Sequence, residues 1–137
     1  METDFPEQFD VLGEMLASPN LLIAELSARV LERYGEQAVA PLLATLPDCH
    51  AFVQVGIVAT LERIGSRSVV KVLMEVLRKT EYTTLRYMII QALGSLGDPD
   101  ALELVQSFSD DPDYYVRGRT QVAIRQLSAS GFDGSKK

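Results

Sequence analysis

A helix-ending pattern that recurs three times constrains the fold of this chain more than any other feature. An apolar residue precedes a glycine in "LERYG", "LERIG" and "LGSLG", which end at Gly35, Gly65 and Gly97. The steps between these glycines are 30 and 32 residues. A repeat of this length accommodates one helix pair, and such a pair buries its apolar face only by stacking on its neighbours.

Apolar residues at helical spacing precede each glycine and define a first helix in every repeat. Two rows carry the pattern, Leu31/Leu61/Leu93/Ile124 and, three residues later, Tyr34/Ile64/Leu96/Leu127. Together with the apolar residues eight positions before the first row, these rows lie on one face of a helix and indicate that it is amphipathic. The upstream residues are Ile23, Val53, Leu85 and Val116. The pattern predicts first helices at about residues 19–34, 49–64, 81–96 and 112–128.

Residue types that cap helices stand at the start of these four segments. The equivalent positions are occupied by Ser18, Asp48, Thr80 and Asp111. Their side-chain oxygens can accept hydrogen bonds from the backbone amides that a helix start leaves unpaired. We therefore predict that these residues are N-caps. Pro19 and Pro112 then become first helical residues, where a missing amide costs nothing.

A second helix is predicted after each closing glycine. The three apolar faces at helical spacing are Val39/Leu42/Leu43/Leu46, Val69/Val72/Leu73/Val76 and Ala101/Leu104/Val105/Phe108. The opening segment, with Phe5, Phe9, Leu12 and Leu16, predicts the second helix of an incomplete leading repeat. The chain is therefore expected to be all-α, with about eight helices.

The sequence Gly94-x-x-Gly97, followed by Asp98 and Pro99, has two possible meanings. A phosphate-binding loop of the Walker type would need a preceding strand and a Lys-Ser/Thr pair, and the chain has neither there. An elbow between helices instead needs a helix-ending glycine, a cap and a helix-starting proline. We predict an elbow, in which Gly97 ends one helix, Asp98 caps the next and Pro99 begins it.

The segments "VQVGIVATLERIG", "LRYMIIQALGSLGDPDALELV" and "DDPDYYVRGRTQVAIRQL" resemble the short HEAT-like repeats first named from phycobilisome lyases. The resemblance covers about residues 5–128. It implies a right-handed α-solenoid of stacked antiparallel helix pairs, in which the second helices line the concave surface. We expect a single domain at residues 1–128, closed by a polar capping helix, and a flexible tail at 129–137.

Charge and composition narrow the classes of partner. The net charge is −6, whereas binding of nucleic acid or of an anionic membrane rests on clustered Lys and Arg. The beginning of the chain lacks the basic and apolar regions of a signal peptide, and a single cysteine cannot form an internal disulfide. We expect a cytoplasmic protein whose partner is another protein.

Cys49 and His50 are the only cysteine and the only histidine in the chain. A thiol at a helix N-terminus can be reactive, but no second metal ligand and no further catalytic partner accompanies this pair. We therefore predict a half-buried structural cysteine. No catalytic residue, no metal site and no cofactor is expected.

Arg86 and Arg117 occupy equivalent positions on adjacent repeats, about 10 Å apart at the spacing of packed helices. In one interpretation each guanidinium binds acids or carbonyls at the elbows, such as Asp98 or Asp111, and forms a structural ladder. In the other, the pair binds a carboxylate or phosphate. We favour the ladder, because acids are abundant at the elbows.

Three tyrosines, Tyr82, Tyr114 and Tyr115, lie at the starts of the third and fourth first helices. With Arg117 and Arg119 beside them they could form an interface edge, since Tyr and Arg are enriched in binding hot spots. The alternative is that the rings simply cover the elbows.

The helix "SRSVVKVLMEVLRK" carries what we call the basic stripe, Arg67, Lys71, Met74 and Arg78, opposite its predicted core face. An exposed methionine among bases indicates binding of a partner with an acidic segment and an apolar anchor. In the leading helix, Val11 and Met15 also point away from the core and would extend this groove.

These patterns favour a non-enzymatic adaptor that holds another protein in the groove of the second helices. The resemblance also implies an alternative, a chromophore-handling subunit of a bilin lyase or phycobilisome-turnover system. A DNA-handling role, as in basic HEAT-like glycosylases, is opposed by the negative charge.

Overall fold

A computed structural model describes residue 11 and residues 14–16, 18–48 and 50–136 of the chain. Every regular element within these ranges is helical, which confirms the predicted all-α fold. The chain divides into two compact units, of which the first ends at Ser66 and the second begins at Arg67. The single domain expected for residues 1–128 stays a prediction. None of the described helices combines the length and apolar character that crossing a bilayer requires.

The first unit contains three complete helices, which follow helical residues at positions 11 and 14–16. They are α1 (Leu21–Tyr34), α2 (Glu36–Thr45) and α3 (Ala51–Ile64), and a 3-10 turn at Leu46–Asp48 joins α2 to α3. Helix α1 packs against both α2 and α3. The fully buried side chains at the centre of this unit include Leu31, Leu46, Ile57, Val58 and Leu61.

The second unit contains four helices, and each of its two second helices begins with a 3-10 turn. Its elements are Arg67–Val69 (3-10), α4 (Val70–Lys79), α5 (Thr83–Leu96), Pro99–Ala101 (3-10), α6 (Leu102–Gln106) and α7 (Tyr114–Lys136). Helix α5 packs on α4 and, most extensively, on α7, which also contacts α6. The buried core includes Leu73, Leu77, Leu85, Ile89, Leu93 and Leu127.

The glycine elbows form as predicted. Gly35, Gly65 and Gly97 end helices with φ of 61°, 80° and 74°, which side chains other than glycine rarely tolerate. Gly97 is left-handed, and its amide donates to the Leu93 carbonyl at 3.2 Å. The Asp98 carboxylate then accepts from the Asp100 amide at 2.9 Å, and Pro99 begins the next helical turn. The Gly-x-x-Gly sequence is therefore an elbow.

The predicted N-caps lie two residues too early. Ser18, Thr80 and Asp111 each accept a hydrogen bond from the amide two residues later, at 3.1, 3.1 and 2.9 Å. These bonds form a turn before the helix, and side chains of the same residue types make both kinds of bond. The helices begin at Leu21, Thr83 and Tyr114 instead. Pro19 and Pro112 therefore belong to the preceding turns and not to the helices.

Two of the true caps follow directly on these turns. The Asn20 side chain accepts from the Leu22 amide at 3.0 Å. Asp113 accepts from the amides of Tyr115 and Val116 at 2.8 and 3.0 Å. The second of the four predicted segments begins at Ala51, again two residues after its predicted start.

The ends of the last two helices also differ from the prediction. Helix α6 stops at Gln106, so Phe108 lies in the turn after it and not on its core face. Helix α7 continues to Lys136, so the predicted end near Leu127 is wrong. No proline follows Leu127, and glycine in a helix costs only about 1 kcal/mol, so nothing in this stretch forces the helix to stop.

Candidate protein-binding surfaces

The first turns of α7 and the middle of α5 enclose an open groove of about 630 Å³ in the second unit. We call it the tyrosine–arginine groove. Its lining residues are Tyr87, Ser109, Tyr114, Tyr115, Arg117, Gly118, Arg119, Gln121 and Val122.

The first turn of α7 exposes two tyrosines to solvent. The Asp113 cap fixes the first turn of α7, which places Tyr114 and Tyr115 at the mouth of the groove. They are 72% and 67% exposed, the highest values among the large apolar and aromatic side chains described. Their rings meet edge to face with centroids 5.3 Å apart, an arrangement favoured by aromatic quadrupoles.

Two arginines of α7 are held in place around these rings. Arg117 donates through Nη1 to the carbonyls of Asp111 and Pro112 at 2.8 and 3.1 Å, and its guanidinium lies 6.0 Å from the centre of the Tyr114 ring. Arg119 donates through Nε to the Tyr87 hydroxyl at 3.1 Å and lies over that ring at 5.3 Å. The aromatic and cationic groups of the groove are thus pre-arranged by bonds within the second unit.

The predicted interface edge is partly brought together. Tyr114, Tyr115 and Arg119 share the groove, whereas Tyr82 is 39% exposed and does not line it. Sequence reasoning missed Tyr87. The repeat register offered a signal, because the offset of 31 residues between Arg86 and Arg117 places Tyr87 level with Gly118, next to Arg119.

The chemistry of the groove suits a ligand with both apolar and acidic groups. None of its lining residues is acidic, although the chain as a whole carries a charge of −6. Arginine presents several fixed N–H donors, and Arg119 uses only Nε for the Tyr87 hydroxyl. The free donors can bind a carboxylate, and the exposed rings can cover an apolar side chain.

Arg86 forms the ion pair expected of a structural ladder. Its Nη1 lies 3.1 Å from Oδ2 of Asp111, and Nη2 donates to the Thr80 carbonyl at 2.9 Å. The pair is largely buried, with side chains 21% and 5% exposed, and the guanidinium lies 5.6 Å from the centre of the Phe108 ring. Arg117 binds the Asp111 carbonyl, so both arginines meet at Asp111. Asp98, the other predicted partner, caps Pro99–Ala101 instead.

The three bases of the basic stripe are exposed as predicted, but Met74 is not, and two of the bases are bonded within the chain. Met74 is half-buried, whereas the prediction had it exposed. The reason is that the core face of α4 is rotated towards Val70 and Leu77, which are 2% and 1% exposed. Arg67 donates to the carbonyls of Leu96 and Gly97 at 3.1 and 3.2 Å and so closes the end of α5.

Acidic side chains lie close to part of the rest of the stripe. Arg78 pairs with Glu75 at 3.4 Å, and Lys71 is exposed. A second groove of about 330 Å³ combines part of the stripe with acids of the next helix pair. It is lined by Met74, Arg78, Asp100, Glu103, Leu104 and Ser107. The stripe is therefore not a region of unopposed positive charge.

The other sequence candidates lie in the first unit. Val11 is 54% exposed and Met15 is half-buried, and their role in partner binding stays a prediction. Cys49 lies outside the described residues, and His50 is exposed just before α3. In the part of the chain that the structure describes, no three His, Cys, Asp or Glu side chains are grouped as metal ligands would be.

Comparison with known proteins identifies the repeat. A family model of HEAT repeats matches residues 39–125. Bovine deoxyhypusine hydroxylase is 27% identical over an alignment of 128 residues, and the match covers 88% of this chain and 41% of that protein. Phycocyanin operon protein Z of Pseudanabaena tenuis is 29% identical over an alignment of 134 residues, and the match covers 89% of this chain and 66% of that protein.

A solved structure shows the same helical architecture. Human deoxyhypusine hydroxylase in complex with glycerol superposes with a TM-score of 0.71 at 26% sequence identity. The match covers 93% of this chain but only 46% of the hydroxylase chain. This chain thus spans less than half the length of the hydroxylases it matches.

Proposed function

Because the chain belongs to the HEAT repeat family, we propose that it is a non-enzymatic adaptor that binds another protein through the tyrosine–arginine groove. The observation that carries the proposal is the exposure of Tyr114 and Tyr115, at 72% and 67%, beside two immobilised arginines. Helical repeats supply a rigid scaffold, and function then resides in the surface built on it.

Exposed tyrosines beside ordered arginines have the character of binding hot spots. Tyr supplies a large contact area at a small cost in side-chain entropy, and Arg supplies fixed donors. The bonds from Arg117 to the Asp111 and Pro112 carbonyls, and from Arg119 to Tyr87, reduce the ordering that binding would otherwise require. We therefore infer that the groove is pre-organised for binding.

The partner's contact segment should carry carboxylates and an apolar or aromatic side chain. Arginine recognises carboxylates through parallel N–H donors, and the groove has no acidic lining residue to compete for them. The second helices are a weaker candidate surface, because Arg67 is engaged with main-chain carbonyls and Glu103 and Asp100 share the groove of Met74.

The test compares captured proteins between matched variants. The wild-type chain, the double variant Tyr114→Ala/Tyr115→Ala and the control Tyr82→Ala are immobilised and exposed to extract of the native organism. Proteins bound by wild type are identified by mass spectrometry, and their Kd values are then measured with each variant. Truncation of a hot-spot aromatic costs about 2 kcal/mol or more, which corresponds to roughly 30-fold in Kd.

Tyr82→Ala is a suitable control because Tyr82 is a partly exposed tyrosine that does not line the groove. It should retain wild-type affinity. All three proteins should show the same helical content and unfolding midpoint, since the substituted rings are exposed. A partner that binds the double variant as tightly as wild type would contradict the proposal, and so would equal loss in the control.

A second candidate function rests on the similarity to phycocyanin operon protein Z. In this alternative the chain is a subunit of a bilin lyase-like or phycobilisome-turnover system and acts on phycobiliproteins. Co-expression with phycocyanin subunits and a bilin supply should then change the amount of chromophore attached, measured by absorbance of the denatured subunits. Equal attachment with and without this chain would exclude the lyase-like form of this alternative.

A further inference from the structure

The groove of about 330 Å³ in the second unit lies between two consecutive second helices, α4 and α6. We call it the α4–α6 groove. Helix α4 runs for ten residues, whereas α6 ends at Gln106 after five. The shorter helix leaves Ser107, just beyond its end, and Arg78, in the last turn of α4, on the edges of the groove. The groove shares no lining residue with the tyrosine–arginine groove.

Two side chains supply the apolar surface of this groove. Met74 comes from α4 and Leu104 from α6, and both are half-buried. The unbranched thioether of methionine adapts to apolar groups of different shape, and the neighbouring leucine adds contact area. An apolar side chain of a ligand gains free energy when it displaces water from both.

The uncompensated charges of the groove are acidic. Asp100 and Glu103 are exposed and lie three residues apart, which makes them neighbours on one side of their helical segment. Within the part of the chain that the structure describes, neither carboxylate forms an ion pair or accepts a hydrogen bond. Arg78 also lines the groove, but its guanidinium lies 3.4 Å from Glu75, which offsets its charge.

These charges favour a cationic ligand at short and at long range. Two like charges at neighbouring positions on a helix repel each other, and a bound cation relieves that repulsion. The whole chain carries a net charge of −6, so a basic segment is also attracted from a distance. An acidic segment would be repelled by both.

We propose that the α4–α6 groove binds a basic segment of a partner protein. A lysine or arginine of this segment faces Asp100 and Glu103, and an apolar side chain beside it lies against Met74 and Leu104. The partner is thus opposite in charge to the one predicted for the basic stripe. The site does not depend on the tyrosine–arginine groove, and with both grooves occupied the chain holds an acidic and a basic partner together.

The probes are synthetic peptides with one leucine and two lysines in a glycine–serine background, with varied spacing between the leucine and the lysines. The full-length chain, isotopically labelled at its methionine methyl groups, is titrated by NMR with each peptide up to about 1 mM, the range of weak specific binding. The chain has four methionines, and the signal of Met74 is assigned by its loss in Met74→Leu. At least one peptide should shift this signal saturably, whereas the same peptide with glutamates in place of lysines should not.

Charge removal tests the role of the two acids. Asp100→Asn/Glu103→Gln should weaken peptide binding about threefold or more at low salt, the scale of partly exposed ion pairs. The control Glu81→Gln/Asp110→Asn changes the net charge equally at exposed acids of the second unit that do not line the groove, and it should weaken binding much less. Arg78→Gln should strengthen binding, because it removes a cation from the edge of the groove. An acidic occupant would respond to that substitution in the opposite direction.

The double variant Tyr114→Ala/Tyr115→Ala should bind the peptides as wild type does, which separates this site from the tyrosine–arginine groove. A Met74 signal that no lysine–leucine peptide shifts would overturn the proposal, as would equal weakening by the two acid-to-amide double variants. A Met74 signal that changes with protein concentration alone would place a second copy in the groove and would overturn it too. Circular dichroism verifies that each variant keeps its helical content.

Discussion

Two single residues of the second unit are expected to matter most for stability: one because it has no side chain at a close helix contact, the other because it neutralises a buried charge. Gly94 is the clearest case of space. A Cβ built at this position would lie 2.9 Å from Cβ and 3.0 Å from Cα of Ala123, and it would also meet Oε1 of Gln126. The α5–α7 contact that supports the tyrosine–arginine groove therefore depends on a missing side chain.

We predict that Gly94→Ala destabilises the protein by about 1–3 kcal/mol, the usual cost of overpacking a core. The Ala123 backbone cannot move aside without separating the two helices. Gly118→Ala is the matched control, because its Cβ would meet nothing within 4 Å. That substitution should stabilise the protein by about 0.5–1 kcal/mol through helix propensity. Urea unfolding measures both, and a shift of the same sign in the two variants would contradict the packing argument.

Asp111 is the corresponding case of charge. Its carboxylate accepts from Arg86 and from the Asp113 amide, and its side chain is 5% exposed. We predict that Asp111→Ala costs about 3 kcal/mol, because it leaves the Arg86 guanidinium largely buried without its counterion. Glu75→Ala breaks an exposed pair and should cost less than about 0.5 kcal/mol. Similar unfolding midpoints for the two variants would show that the buried pair contributes no more than a surface one.

At the scale of helices, the sequence predicted which segments are helical more reliably than it predicted the residue at which each helix begins. The closing glycines and the apolar rows correctly predicted the helix pairs, because a left-handed helix end and an amphipathic face each require particular residues. The starts were displaced by two residues, since Ser, Thr and Asp make the same local bond in a turn as in a cap. Tyr87 was missed because the prediction did not apply the repeat register to it, although that register places Tyr87 level with Gly118 and the packing of α5 on α7 then brings it to Arg119.

The start of α7 offers a direct test of the corrected cap. Asp113→Ala removes the acceptor for the amides of Tyr115 and Val116 and should cost about 1 kcal/mol. Asp110→Ala is a fitting comparison, because Asp110 is an exposed acid of the same turn region and should cost little. Chemical unfolding of both variants distinguishes the positions, and equal stability would mean that the helix start is fixed by packing alone.

At the scale of the whole molecule, the proposed function sets two electrostatic effects against each other. The chain carries a net charge of −6, which repels an acidic partner at long range, while Arg117 and Arg119 attract its carboxylates at short range. Which effect dominates depends on ionic strength. The screening length is about 30 Å at 0.01 M salt, about 10 Å at 0.1 M and about 3 Å at 1 M.

We therefore predict that association with an acidic partner is not monotonic in salt. Between about 0.01 M and 0.1 M the rate should rise, because screening removes the repulsion of the distant acids while the groove still acts over about 10 Å. Towards about 1 M it should fall, because the attraction of the groove is screened as well. Stopped-flow or surface-plasmon kinetics with the captured partner measure both the rise and the fall of the association rate with salt.

Arg119→Gln should weaken the fall of the rate at high salt. It should leave the rise at low salt in place, since the net charge of the chain stays negative. A rate that falls steadily from the lowest salt would mean that the partner meets a basic surface larger than this groove.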